Sequence, residues 1–143
     1  MGRYSLALKG YSSALASVSA TGRDADTLPL ELALAEVAES MSAGGRIILV
    51  GNGGSLAIAS HIATDLVTQA GLRAQAVSDP VLLTALANDR GQGRGLACAV
   101  AALLPSSGTG ATLVAMSCSG ESGNVIAAAE AARKAWAKVI TLT

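Results

Sequence analysis

Apolar positions fall into two regimes along the chain. Residues 4–20 alternate small and apolar positions weakly and read as a helix, broken at Thr21-Gly22-Arg23-Asp24. Thr27 can cap a second helix with Pro29 in its first turn, where a missing N–H is harmless. Leu30, Leu34, Val37 and Met41 supply its apolar stripe, and Gly44-Gly45 end it. From residue 46 short continuous apolar runs take over. Arg46-Ile47-Ile48-Leu49-Val50 stops at Gly51 and reads as a buried parallel strand. A helix over about 56–69 follows, then a weaker strand over 72–77. A further helix runs from Asp79-Pro80 to Ala87. Residues 90–95, with three glycines and two arginines, read as a loop, 96–104 as a helix and 105–110 as a turn. The pattern closes with a strand over 111–117, a helix over 124–137 and a strand over 138–143.

Strands alternating with helices imply parallel pairing through right-handed crossovers. The expected fold is α/β: one domain over 1–143, with N-terminal helices over 1–44 and a core of about four parallel strands over 46–143. Helices on both faces would make it a three-layer sandwich. Composition sharpens this. The chain is 51% hydrophobic yet contains no Phe, one Trp and two Tyr, so its core must come from closely packed Leu, Ile, Val and Ala. Ten basic residues balance ten acidic ones, which offers no electrostatic footprint for nucleic acid. The longest apolar run, Leu96 to Leu104, is about half of a membrane span, and no signal peptide is visible. Cys98 and Cys118 have neither disulfide-framework nor zinc-knuckle spacing. A cytoplasmic protein with reduced thiols, without nucleic-acid or membrane partners, is the expectation.

Chemistry concentrates in two loops that follow strands, where parallel sheets gather ligands. In Gly51-Asn52-Gly53-Gly54-Ser55 the glycines let backbone N–H groups approach a ligand, and Ser55 occupies an N-cap position. The positive end of the helix dipole points at the same spot, so phosphate is the natural ligand. Ser117-Cys118-Ser119-Gly120-Glu121-Ser122 adds uncharged hydroxyls before another helix. Either loop alone can equally be a tight turn with a good cap; two in corresponding places point to one phosphate enclosed from both sides. A P-loop is excluded because no lysine lies near Gly54, and a dinucleotide fingerprint because position 56 is Leu. His61 and Asp65 share a helix face at i, i+4. They make half of a metal site, an acid/base pair, or a plain surface contact. Asn88-Asp89 end a helix, and Arg90 and Arg94 belong to a solvated loop.

Gly51 to Ser55, His61, Leu82 to Asp89, Ser117 to Val125 and Lys138 to Thr143 resemble the phosphoheptose isomerases, a branch of the sugar isomerase (SIS) superfamily. The likeness covers about residues 28–143. It implies a homotetramer that interconverts sedoheptulose 7-phosphate and glycero-manno-heptose 7-phosphate, an aldose–ketose isomerisation through an enediol. Asn52, Gly53, Ser55, Ser117, Ser119 and Ser122 would hold phosphate and nearby sugar oxygens, and Asp89 sugar hydroxyls. His61, with Asp65, would ligate zinc, and Asp65 would act as general base where the family carries Glu. Three departures stand out. The helix reads Ile58-Ala59-Ser60-His61-Ile62-Ala63-Thr64-Asp65 where the family has Asp-Ala-x-His-x-x-x-Glu. Glu121 replaces an Asn. The family's final strand and C-terminal helix, with their histidine and glutamine, are expected to be lacking. The alternative implied is a non-catalytic phosphosugar-binding, regulatory or assembly module, like the replication-initiator-associating relatives.

Overall fold

The computed structural model describes residues 45–106 and 110–143 throughout, and before them Ala20, Thr21, Thr27, Leu28, Leu32, Ala35, Ala38 and Glu39. The chain divides into two compact units, Met1–Glu39 and Ser40–Thr143.

In the first unit, Ala20–Thr21 and Thr27–Leu28 pair antiparallel, with Thr21 opposite Thr27. Thr27 is therefore extended, in keeping with the strand preference of β-branched residues, and the start of the helix it is expected to cap lies outside the described residues. Leu32, Ala35, Ala38 and Glu39 are helical and exposed, as the second predicted helix requires. The helix expected before residue 20 lies outside the described residues, as does the stripe of Leu30, Leu34, Val37 and Met41.

The second unit is built on four strands: β1 (Arg46–Val50), β2 (Arg73–Ala76), β3 (Ala111–Met116) and β4 (Lys138–Leu142). All pair in parallel in the order β2-β1-β3-β4. Val50 lies opposite Ala115, and Met116 opposite Leu142, so the carboxyl ends of β1, β3 and β4 are level. Four helices complete the unit: α1 (Gly53–Thr68), α2 (Pro80–Arg90), α3 (Gln92–Leu103) and α4 (Gly123–Lys134). No helix among the described residues is long and apolar enough to cross a membrane.

Alternation along the central strands sorts the core into two layers. Ile47, Leu49, Val114 and Met116 face Ala59 and Ala63 of α1. Ile48, Val50, Leu113 and Ala115 face Leu96, Ala99 and Val100 of α3 and Val125, Ala128 and Ala132 of α4. Alanine on the helices allows this close approach, which is how a chain without Phe fills its core. Helices thus cover both faces, as the sequence pattern predicts.

Element boundaries differ from expectation: α1 starts at Gly53 rather than 56, and α2 runs through Asn88-Asp89, expected to end it, to Arg90. Residues 90–95 are not a loop: only Gly91 (φ 79°) interrupts, and α3 begins at Gln92. Gly95 is buried in α3, where a Cβ would lie 3.1–3.2 Å from the backbone of Leu86 and Ala87 in α2. That glycine serves helix packing rather than a turn. Helix α4 ends at Lys134, not at 137. Trp136 adopts φ 65°, with its N–H on the Arg133 carbonyl and the Ala137 N–H on that of Ala132. This is a Schellman stop with Trp in the place glycine normally takes.

Candidate functional site

The chain leaves β1 toward β2 through α1, and leaves β3 toward β4 through α4. The neighbouring strands β1 and β3 therefore send their connections in opposite directions, opening the crevice at which α/β sheets bind ligands. Residues 51–52 and 117–122 both lie at this point. Gly51 is buried in the first turn, where a Cβ would stand 2.8 Å from the Ser55 carbonyl carbon, so only glycine fits.

The N-cap of α1 is Asn52, not Ser55, which lies in the first helical turn. The Asn52 carbonyl accepts from the Ser55 and Leu56 N–H groups at 2.9 and 3.3 Å. Its side chain makes no capping bond. At α4 the Ser122 carbonyl accepts from Val125 and Ile126, and its hydroxyl likewise caps nothing. By contrast α2 has a filled cap: Asp79 Oδ1 accepts from the Leu82 N–H at 2.7 Å, while α3 starts behind Gly91 with no side-chain cap. The first N–H groups of a helix have no intrahelical acceptor, so α1 and α4 present free amides and two positive dipole ends at one place.

The loops touch. Asn52 Nδ2 donates to Asn124 Oδ1 at 2.9 Å, and Asn124 Nδ2 returns a bond to Asn52 Oδ1 at 2.8 Å. Ser55 Oγ and Cys118 Sγ lie 3.6 Å apart. Within the second loop, buried Ser117 donates from Oγ to Ser122 Oγ at 3.0 Å, and Ser119 Oγ accepts from the Glu121 N–H at 3.2 Å. Glu121 itself is exposed, which keeps its carboxylate in water. Asn52, Gly53, Ser55, Ser117, Ser119 and Ser122 are thus gathered in two adjoining loops, as their spacing predicts. Beside them opens a cavity of about 540 Å³, walled by Asn52, Gln92 and Asn124 on its polar side and by Leu83, Ala87 and Leu96 on its apolar side.

The remaining candidates lie elsewhere. Asp89 is in the exposed last turn of α2, accepts from Asn88 Nδ2 at 3.0 Å and does not line this cavity. His61 Nε2 and Asp65 Oδ2 are 3.5 Å apart on the outer face of α1, with side chains 79% and 45% exposed. Asp65 also accepts from Gln69 Nε2 at 3.2 Å. Catalytic zinc takes three protein ligands and structural zinc four. Among the described residues no group of three His, Cys, Asp or Glu side chains gathers. His61 and Asp65 alone do not fit a zinc ion.

Two contributors were not singled out by the sequence reading, Asn124 and Gln92. Asn124 follows the serine loop in the first turn of α4, and its signal is only an Asn where capping is already provided for. Gln92 opens α3 within a glycine- and arginine-rich stretch whose composition carries no helix signal.

The chain is similar to known proteins over most of its length. The SIS domain family matches residues 10–143. The phosphoheptose isomerase of Edwardsiella ictaluri is 38% identical over 125 residues, covering 84% of this chain and 63% of that protein. That of Roseiflexus sp. is 41% identical over 126 residues, covering 82% and 62%. The chain therefore spans just under two thirds of the length of these relatives. Among solved structures, phosphoheptose isomerase GmhA from Neisseria gonorrhoeae aligns with a TM-score of 0.62 at 33% identity, over 78% of this chain and 73% of that one. A phosphoheptose isomerase from Francisella tularensis aligns with a TM-score of 0.76 at 27% identity, over 100% and 76%. With this sheet order, paired loops and match, the chain belongs to the SIS domain family, in its phosphoheptose isomerase branch.

Proposed function

We propose that the chain binds the phosphate of a sugar phosphate between residues 51–55 and 117–122, and that it interconverts a ketose and an aldose heptose phosphate, sedoheptulose 7-phosphate being the expected ketose. One observation carries the reading: α1 and α4, whose starts are joined across the crevice, have N-cap side chains that are able to cap and cap nothing; α3 starts behind Gly91 without a side-chain cap, and only α2 is capped among the four. Amides without an intrahelical acceptor take one from water or from a ligand, and a phosphate oxygen is the acceptor that the dipoles favour. Ser55, Ser119 and Ser122 supply hydroxyls without adding charge. The adjoining cavity, uncharged and lined by amides on one side, suits the polyol portion.

The isomerisation needs a base that carries a proton between C1 and C2 through an enediol. Asp65 is the carboxylate proposed by the family likeness. It lies ten residues along α1 from Ser55, about 15 Å at 1.5 Å per residue. Neither His61 nor Asp65 lines the cavity beside those loops, and both stand on the outer face of the helix. Asp65 of one copy would then serve the phosphate loops of another, which makes a homo-oligomer, tetrameric as in the likeness, part of the proposal. The exposure of His61 and Asp65 supports this, since both are open to a neighbouring copy.

The same exposure favours a second reading, a phosphosugar-binding module without turnover. Calorimetry with sedoheptulose 7-phosphate, set against sedoheptulose and inorganic phosphate, together with a turnover assay and light scattering, separates the two. Binding with turnover by an oligomer supports the isomerase. Binding without turnover, with or without added zinc, selects the module. Absence of binding refutes both.

A further inference from the structure

Asn52 and Asn124 form a reciprocal amide pair between residues 72 apart in sequence, with bonds of 2.9 and 2.8 Å. An asparagine at an N-cap normally turns its side chain back to its own helix, which stabilises the helix by about 1 kcal/mol. Asn52 forgoes that bond. Its partner stands in the first turn of α4, itself begun by an uncapped serine. Each amide thus joins one helix start to the other rather than closing its own. The pairing is made of two bonds in opposite directions, so it constrains both the separation of the loops and their relative rotation, as a single bond would not. The Ser55–Cys118 contact at 3.6 Å is too long and weak to do this alone.

We infer that Asn124 is a positioning residue: paired with Asn52, it holds the free amides of α1 and α4 at the spacing one phosphate needs. The inference rests on the sugar-phosphate reading above and assigns the clasp a role in binding rather than in folding. Asn52 is exposed and Asn124 half-buried, so water can replace the lost partner when either is truncated, and little stability is at stake. Preorganisation is what disappears: the loops become free to part, and the ligand must hold them together itself.

The experiment uses the full chain and four proteins, the unsubstituted chain, Asn52→Ala, Asn124→Ala and the double variant. Calorimetric Kd for sedoheptulose 7-phosphate and the Tm of the ligand-free protein are measured for each. A clasp predicts that each single substitution weakens binding about tenfold, that the double variant is no weaker than the singles, and that ligand-free Tm moves by no more than about 2 °C. Losses in affinity that multiply in the double variant, or an affinity unchanged by Asn124→Ala, overturn the inference. A fall in Tm with unchanged Kd also overturns it, because that is the signature of a merely structural bond. If the unsubstituted chain binds no sugar phosphate, the functional reading fails and the inference with it. Binding that Asn124→Ala leaves intact sinks only the inference.

Discussion

Gly51→Ala tests whether the turn from β1 into α1 is as tight as the site requires. The new methyl carbon would stand 2.8 Å from the Ser55 carbonyl carbon, and 3.0 Å from both the Leu56 nitrogen and Ser55 Cβ. Carbon atoms pack best at about 3.5–4.0 Å, so strand end and helix start must separate by roughly 0.7–1 Å. Two of the three obstacles are backbone atoms, which cannot rotate away. Overpacking of this kind costs about 1–3 kcal/mol. At about 4 °C per kcal/mol for a unit of this size, Tm should fall by about 4–12 °C. The same movement carries Ser55 away from Cys118 and breaks the alignment of the two loops. Loss of one charge-assisted bond to phosphate, about 1.5–3 kcal/mol, corresponds to a tenfold to hundredfold rise in Kd for a sugar phosphate. Gly54→Ala is the matched control: a Cβ there meets nothing within 4 Å, and alanine in a helical turn should raise Tm by about 2–4 °C. Thermal melts and calorimetry on the two variants decide the matter. A Gly51→Ala protein with the Tm and Kd of the unsubstituted chain would refute the steric argument for this turn.

Three further outcomes follow from single contacts. Ser117→Ala deletes the buried donor to Ser122 Oγ, and should lower Tm by about 4 °C, or about 1 kcal/mol, while weakening sugar-phosphate binding several-fold by calorimetry. Trp136→Gly relieves a left-handed backbone position (φ 65°) at an 82% exposed residue; denaturant titration should show about 1 kcal/mol of added stability. Asp65→Glu extends the proposed base by one methylene toward the family's residue, and should raise kcat about tenfold or more at unchanged Kd; an unchanged or lower kcat would remove Asp65 from the role of base.

The two central strands were legible because buried parallel strands leave the plainest mark a sequence carries, a nearly continuous apolar run, ended in β1 by Gly51. Ile47 to Val50 and Ala111 to Met116 are almost wholly buried. Glycine was the poorer guide elsewhere. At Gly51 and Gly91 it marks a break in the chain, but at Gly95 it marks the contact between α2 and α3, and sequence does not distinguish the two uses. Trp136 misled in the opposite sense: a bulky residue holds the left-handed position that usually identifies a helix end. The grouping of Ser55 with Ser117, Ser119 and Ser122 could be read from strand-loop-helix repetition alone, because a parallel sheet levels the ends of its central strands. The Asn52–Asn124 pair could not, because it depends on how far apart two helix starts settle once the sheet has formed.

Capping gives the clearest physical contrast in this molecule. A helix start exposes up to four N–H groups, and an isolated domain gains stability by covering them with its own side chains. The chain does so at α2 through Asp79. At α1 and α4 it has an Asn and a Ser in the capping positions, residues fully able to do the same, and neither does. The Asn52 amide reaches instead to Asn124, and the Ser122 hydroxyl accepts from Ser117. Stability forgone at two helix starts joined across one crevice, by side chains able to supply it, is the pattern expected of amides reserved for a ligand. Turnover is a separate demand. It needs a carboxylate brought to the far end of the sugar, and α1 carries Asp65 in the direction away from its own phosphate loop. On the proposed reading the chain holds the phosphate with residues of its own, and Asp65 serves the loops of a second copy.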